Sequence, residues 1–250
     1  MRKSRSSVLT LTWRDLKEVS RDPLSLVFMM ALPLVMEVFF YFLFHKLTAQ
    51  FEMKYLAPGI VVFSEAFLTL FTGLLIAVDR NSAFLTRLYV SRARPYEFIF
   101  GYAFSLLPFA LAQSVLFFLI GGIIDPSLFC PGMIWCILLS LVTSMLFIGL
   151  GILFGSLCNE KSIGGVSSIV ITGQSVLSGM WFPIDGIGDG MITAMRCLPF
   201  KNATDLLQNV LNGINDPFRD FWLPLLVVFG YTVAAFAVSV PVFRSKMANN

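Results

Sequence analysis

Apolar residues along this chain gather in long runs separated by short polar links. Six runs stand out, at 24–44, 56–78, 98–124, 133–157, 163–180 and 221–243. A helix rises 1.5 Å per residue, so roughly 17–25 residues cross a hydrocarbon core about 30 Å thick. Each run approaches or exceeds that length, and the pattern predicts six membrane-spanning helices. Unpaired backbone groups cannot face lipid, and the runs lack the short alternation of barrel strands. The expected fold class is all-α, a polytopic membrane protein with one transmembrane domain over residues 1–250.

The links carry their own patterns. Over 7–21, Val8, Leu9, Leu11, Trp13, Leu16 and Val19 interleave with Arg14, Asp15, Lys17 and Glu18. That spacing predicts an amphipathic helix along the inner interface, broken by Asp22-Pro23. The run that follows is too long for the core of a signal peptide and has no small-residue cleavage site, so it reads as a retained span. The segment 181–220 starts Gly-rich, then mixes apolar and polar residues, which suits two short outer re-entrant helices near 191–198 and 203–211. The fifth run is the shortest and holds Gly164, Gly165 and Gly173, residues suited to close helix packing.

Composition agrees with lipid solvation: 57% of residues are hydrophobic and 13% charged, against about 25% charged in soluble domains. A net charge of +3 is too small to suggest nucleic acid, but its distribution is uneven. Arg2, Lys3, Arg5, Arg14, Lys17 and Arg21 precede the first span, and Arg80, Arg87, Arg92 and Arg94 lie in the link 79–97. Lys161, Arg244 and Lys246 fall on the same side, against Lys46, Lys54, Arg196, Lys201 and Arg219 on the other. The positive-inside bias places both termini in the cytoplasm of a multi-pass cell-membrane protein.

Candidate chemistry is sparse. The four cysteines have no CxxC or Cys/His spacing. Cys130 and Cys197 fall in outer segments, where a disulfide is one option and apolar filling the other. The nearest approach to a phosphate loop, 155–162, has Glu160 where GxxxxGK[ST] needs glycine and follows no strand. No catalytic or metal-binding residue is expected. Glu37 and Glu65 lie inside spans, where carboxylates are costly. Counting from the span ends puts both about 10–14 Å in from the outer boundary, at similar depth. Lining a polar path, binding a cation, relaying protons and fixing helix contacts all remain open for them. Gly151 and Gly155 form a GxxxG that permits close contact within the chain or between subunits. Asn202-Ala203-Thr204 matches a glycosylation triplet short enough to arise by chance.

The link 79–97 is the most informative stretch. Phe84 with Leu88 and Leu85 with Tyr89 are i,i+4 pairs that give a short helix an apolar surface beside Arg87, Arg92 and Arg94. Positive-inside charge with interfacial aromatics accounts for it plainly; docking into a groove on a cytoplasmic partner accounts for it equally.

Taken together, the six-span plan, the amphipathic N-terminal helix and this link resemble the permease subunit of type-2 ATP-binding-cassette exporters over nearly the whole chain. Asp79-Arg80, Ser82-Ala83, Leu85, Arg87-Leu88 and Arg92 through Pro95 follow the order of that family's coupling helix. Asp79, Asn81 and Ser82 depart from its usual Glu, acid and Gly. Ser178-Gly179-Met180-Trp181-Phe182-Pro183 is similar to the family's small-Gly-aromatic-Pro signature, with Leu198-Pro199-Phe200 and Leu211-Asn212-Gly213 after it.

The resemblance implies that Phe84, Leu85, Arg87, Leu88 and Tyr89 seat against a cytoplasmic ATPase subunit. It implies an outer gate at Gly179, Trp181, Phe182, Pro183 and Pro199, with Glu37 and Glu65 as candidates for the translocation path. Two ATPase subunits would bind ATP and Mg, this chain would hold no cofactor, and a second copy or paralogue would complete the dimer. A secondary transporter using Glu37 and Glu65 as proton or cation sites is the alternative, ahead of an intramembrane lipid-acting enzyme. The family handles drugs, peptides, lipids and glycans, and no large outer domain narrows that range.

Overall fold

The computed structural model of the chain describes residues 7–81, 95–182 and 188–248. Among them every long element is helical and none is a strand. Helix α1 is Ser7–Ser20, α2 Pro23–Phe44, α3 Met53–Asn81, α4 Pro95–Ile124, α5 Pro131–Leu157 and α6 Glu160–Leu177. Two shorter helices, α7 (Asp189–Cys197) and α8 (Pro199–Asn212), precede α9 (Leu223–Ala248), which follows a π-helical turn at Pro217–Trp222.

Local chemistry sets these boundaries. The first backbone N–H groups of a helix lack internal partners, and a side-chain oxygen ahead of them with proline at the first position suits that gap. Asp22 accepts from the amides of Leu24 and Ser25 ahead of Pro23, and Asp216 from those of Phe218 and Arg219 ahead of Pro217. Helix α8 stops where Gly213 adopts φ 108°, a conformation open to glycine and strained for other residues.

Helix α3 is the axis of the bundle. Of its apolar window 83% is buried, against 17% for α2 and for the last span, Pro217–Val242. It packs against α2, α4, α5, α6 and α8. Its closest seam is with α5. A Cβ on Gly151 would lie 2.6 Å from Thr72 Cβ, and one on Gly155 would lie 2.7 Å from the Gly73 carbonyl oxygen. Thr69 Oγ1 donates to Phe147 O across the same seam at 2.9 Å. The GxxxG therefore joins two helices of one chain.

Among the described residues, five helices are long and apolar enough to cross a membrane by length and composition: α2, α3, α4, α5 and Pro217–Val242. The chain is an all-α polytopic membrane protein. Helix α6, at the fifth apolar run, is not among those five. It covers 18 residues, begins at Glu160-Lys161 and carries Gly, Ser, Thr and Gln174, which dilute its apolar character. The short helices α7 and α8 occupy the 181–220 segment. Asn202 is buried, and its side-chain amide donates to Arg196 O and Leu198 O, so the triplet around it offers no accessible acceptor. All four cysteines are free; Cys130 Sγ faces Leu211 O, and Cys197 is exposed.

Candidate functional site

The coupling residues Phe84, Leu85, Arg87, Leu88 and Tyr89 lie outside the described residues, as does Pro183. What is described is the ground on which the 82–94 link stands. Asp79, near the end of α3, accepts from Arg14 Nη1 at 2.9 Å and from Arg14 Nη2 as well. Tyr102 of α4 donates its hydroxyl to the same carboxylate at 2.7 Å. Next to it, Arg80 reaches the carbonyl end of α5, donating to Gly155 O at 3.0 Å, Ser156 O at 2.6 Å and Cys158 O at 3.3 Å. The unpaired carbonyls and partial negative charge of a helix C-terminus favour such a cation. Thr12 Oγ1 donates to Gly101 O at 3.2 Å, and a Cβ on Gly101 would lie 3.0 Å from Leu11 Cβ, so α1 lies close on α4. Four helices thus meet where α3 ends.

Sequence reasoning matched Asp79-Arg80 to a motif but missed Arg14, Asp15 and Tyr102. The buried stripe of α1 is Leu11, Asp15 and Val19, at i, i+4 and i+8. Asp15 has no exposed surface, and neither of its oxygens has a hydrogen bond. Burial pushes its carboxyl up to about 7; Arg14 opposes that shift, while Asp79 and Glu18 reinforce it. A carboxylate in the middle of an apolar stripe was the available signal.

Glu37 and Glu65 are both fully buried, yet in different surroundings. Glu65 accepts from Thr143 Oγ1 of α5 at 3.0 Å. Glu37 lies against α4: a Cβ on Gly121 would be 3.0 Å from Glu37 Oε1 and 3.1 Å from Met53 Sδ. Glu37 is therefore level with the start of α3, whereas Glu65 lies about 18 Å further along that helix. The two carboxyls do not share the depth that counting from span ends suggested. That count took the spans to end level with their apolar runs, and α3 begins at Met53, ahead of its own.

At the opposite end of the bundle, α6 is followed by Gly179 with φ 73°, and the Gly179 carbonyl accepts from Gln50 Nε2. The turn sends Trp181 into a group of aromatic rings, with centroids 4.5 Å from Phe40, 6.1 Å from Phe63 and 6.4 Å from Phe51. Its indole N–H donates to Ser175 Oγ at 2.7 Å. Pro199 is buried at the first position of α8, where Phe200 stacks on Phe147. Phe182 instead faces outward, 55% exposed, apart from the ring cluster. Helix α8 is tied to the start of α3 by Gln208 Nε2 to Tyr55 O at 2.8 Å and Asn212 Nδ2 to Lys54 O at 3.2 Å.

Spans wrapped around a central helix, with a four-helix junction at one end and a ring-packed turn at the other, define a polytopic helical membrane protein. The sequence profile of the ABC-2 type transporter family matches residues 6–212, and the chain belongs to that family. Its membrane domain is a transport permease, not itself catalytic. A search of curated proteins found no match.

Proposed function

We propose that the chain is the permease subunit of an ATP-driven exporter, paired with a second copy or paralogue and moved by two cytoplasmic ATPase subunits that bind ATP and Mg. In this reading α6 is a sixth span, both termini are cytoplasmic, and α1 lies along the inner face of the cell membrane. The observation that carries the reading is the junction at Asp79 and Arg80. A segment that receives force from a separate motor must stand on a base that passes the force on, and this base joins α1, α3, α4 and α5. Phe84, Leu85, Arg87, Leu88 and Tyr89 would seat in the ATPase. The exposed side of α6, a shallow apolar groove along Ile169, Gly173 and Val176, suits the second copy.

At the outer end, Gly179, Trp181, Phe182, Pro183 and Pro199 form the gate in this reading. Glu37 and Glu65 are enclosed within the protomer, so as path groups they act in a state where α2 and α5 part from α3.

The test is ATP hydrolysis and substrate export by membranes expressing the chain with its cytoplasmic ATPase. Leu85→Asp with Leu88→Asp is expected to abolish export and ATPase capture while the chain still inserts. Export unchanged by that pair, or export stopped by an uncoupler with ATP maintained, overturns the reading; the second result would favour proton coupling through Glu37 or Glu65.

A further inference from the structure

Among the described residues, the Arg14 guanidinium beside Asp15 faces several acids. Arg14 donates to Asp79 through both terminal nitrogens and to Glu18 at 3.0 Å, and its Nη1 lies 3.5 Å from Asp15 Oδ1. Among the described residues, the titratable groups facing Asp15 are Arg14 and Glu18 on α1, Asp79 from α3 and Tyr102 from α4. Asp15 is the most enclosed of the three carboxylates around Arg14: Asp79 is 2% exposed and Glu18 lies at the surface.

We propose that Asp15 competes with Asp79 for Arg14, so that a proton on Asp15 determines how firmly α1 holds the base of the coupling segment. Arg14 and Asp15 are positioning residues in this scheme. With Asp15 protonated, Arg14 pairs with Asp79, and α1 is fastened to α3. With Asp15 ionised, a buried negative charge lacks a hydrogen-bonding partner, and such a charge is strongly disfavoured. Among the described residues, the nearest relief is Arg14. Either the guanidinium turns toward Asp15 and weakens its hold on Asp79, or α1 lifts and lets Asp15 reach water.

The direction with pH follows from linkage. The seated carboxyl is raised from 3.8 to about 7, so the proton favours seating. That contribution is complete below the ordinary value and declines by roughly tenfold per pH unit as pH rises toward the raised one. Above it the seating is level again and weakest. Grip is thus strongest in acid and loosens on approach to neutrality.

The consequence for transport rests on the permease reading, but the proton site does not, so the first two arms use the purified chain in lipid nanodiscs without an ATPase. Infrared difference spectra should contain a protonated-carboxyl band that titrates near pH 7 and is lost in Asp15→Asn. A probe on Leu9→Cys, in a Cys197→Ser background, should report α1 growing more mobile as pH rises. That change should be absent in Asp15→Asn, which mimics the protonated form and keeps the fold. Arg14→Gln should leave α1 mobile at every pH, with partial recovery in Arg14→Lys. A band that survives in Asp15→Asn, or pH-independent α1 mobility in the parent, overturns the proposal.

The third arm adds the ATPase: export should change across the same pH range in the parent and not in Asp15→Asn. If the nanodisc arms succeed and no ATP-driven export is found, the proton site stands and the permease reading falls.

Discussion

Gln113 Nε2 of α4 donates to the carbonyl oxygen of Met29 in α2 at 2.8 Å. Met29 lies in a π-helical turn, Val27–Ala31, just ahead of Pro33, whose missing N–H leaves the backbone carbonyls of this turn one donor short. Pro58, inside α3, shows the relation in its simplest form: it frees Lys54 O, which accepts from Asn212 Nδ2 at 3.2 Å. In both places an amide side chain from a different helix takes a carbonyl beside a proline.

If that relation holds α2 to α4, Gln113→Leu should cost about 1–3 kcal/mol, the penalty for a buried unsatisfied acceptor. Pro33→Ala restores the missing N–H, so the double variant Gln113→Leu with Pro33→Ala should regain much of the loss. Thermal unfolding of the detergent-solubilised chain reads this out. Strictly additive losses would mean that the amide and the proline are unrelated.

Arg80 closes the carbonyl end of α5 from the end of α3, and hydrogen bonds to a charged donor are worth about 1.5–3 kcal/mol. Arg80→Ala should lower the thermal midpoint by an amount in that range and should raise amide exchange in the last turn of α5. Arg80→Lys should recover only part, because a single ammonium on a flexible stem lacks the planar fork. Equal behaviour of the two variants would point to charge alone.

The glycines of the α3–α5 seam should separate sharply from those on α6. Gly151→Ala and Gly155→Ala place a methyl within 2.7 Å of backbone or Cβ atoms of α3, and Gly164→Ala meets nothing within 4 Å. Overpacking of this kind costs about 1–3 kcal/mol, so the first two should lower stability and the yield of monodisperse protein. Gly164→Ala should be neutral or slightly stabilising in the isolated chain, since alanine suits helices better. A loss there as large as at Gly155 would show that α6 is packed against something else.

Much of this architecture was legible in the chain because lipid enforces it. Where water is absent, apolar length alone locates a helix, and period located α1 and, to within a few residues, α7 and α8, although α8 begins at Pro199, ahead of the expected 203. Helix α6 was read three residues late at each end: its apolar run ends at Met180, but hydropathy does not register the left-handed turn at Gly179 that stops the helix, nor that Glu160 suits a first turn. The junction at Asp79 was harder. Arg14 and Asp79 stand 65 residues apart, and no local pattern pairs them. Asp15 was counted with the polar face of α1, although its spacing from Leu11 and Val19 puts it on the buried one. Glu37 and Glu65 were found by residue type, but their differing levels depend on where helices begin, which apolar runs do not mark.

On the permease reading, which places this end outside, the turn at Gly179 should act as its closure. Three interactions hold it: the Gln50 amide on the Gly179 carbonyl, the Trp181 indole N–H on Ser175 Oγ, and the Trp181 ring among Phe40, Phe51 and Phe63. Aromatic pairs contribute about 0.5–1.5 kcal/mol each beyond burial, so Trp181→Ala should weaken this end more than Gln50→Ala does. Gly179→Ala adds a left-handed penalty of about 1–2 kcal/mol and should act in the same direction. Ser178, 1% exposed beside the turn, supplies the reporter as Ser178→Cys in a Cys197→Ser background. Its reaction with a membrane-impermeant thiol reagent should be slow in the parent and about tenfold faster with Trp181→Ala, the ratio that ~1.4 kcal/mol of lost closure gives. Phe182→Ala should leave the rate unchanged, because that ring lies outside the cluster. Equal protection of Ser178→Cys with and without Trp181 would mean that the rings pack the turn without closing it, and that the outer barrier lies elsewhere.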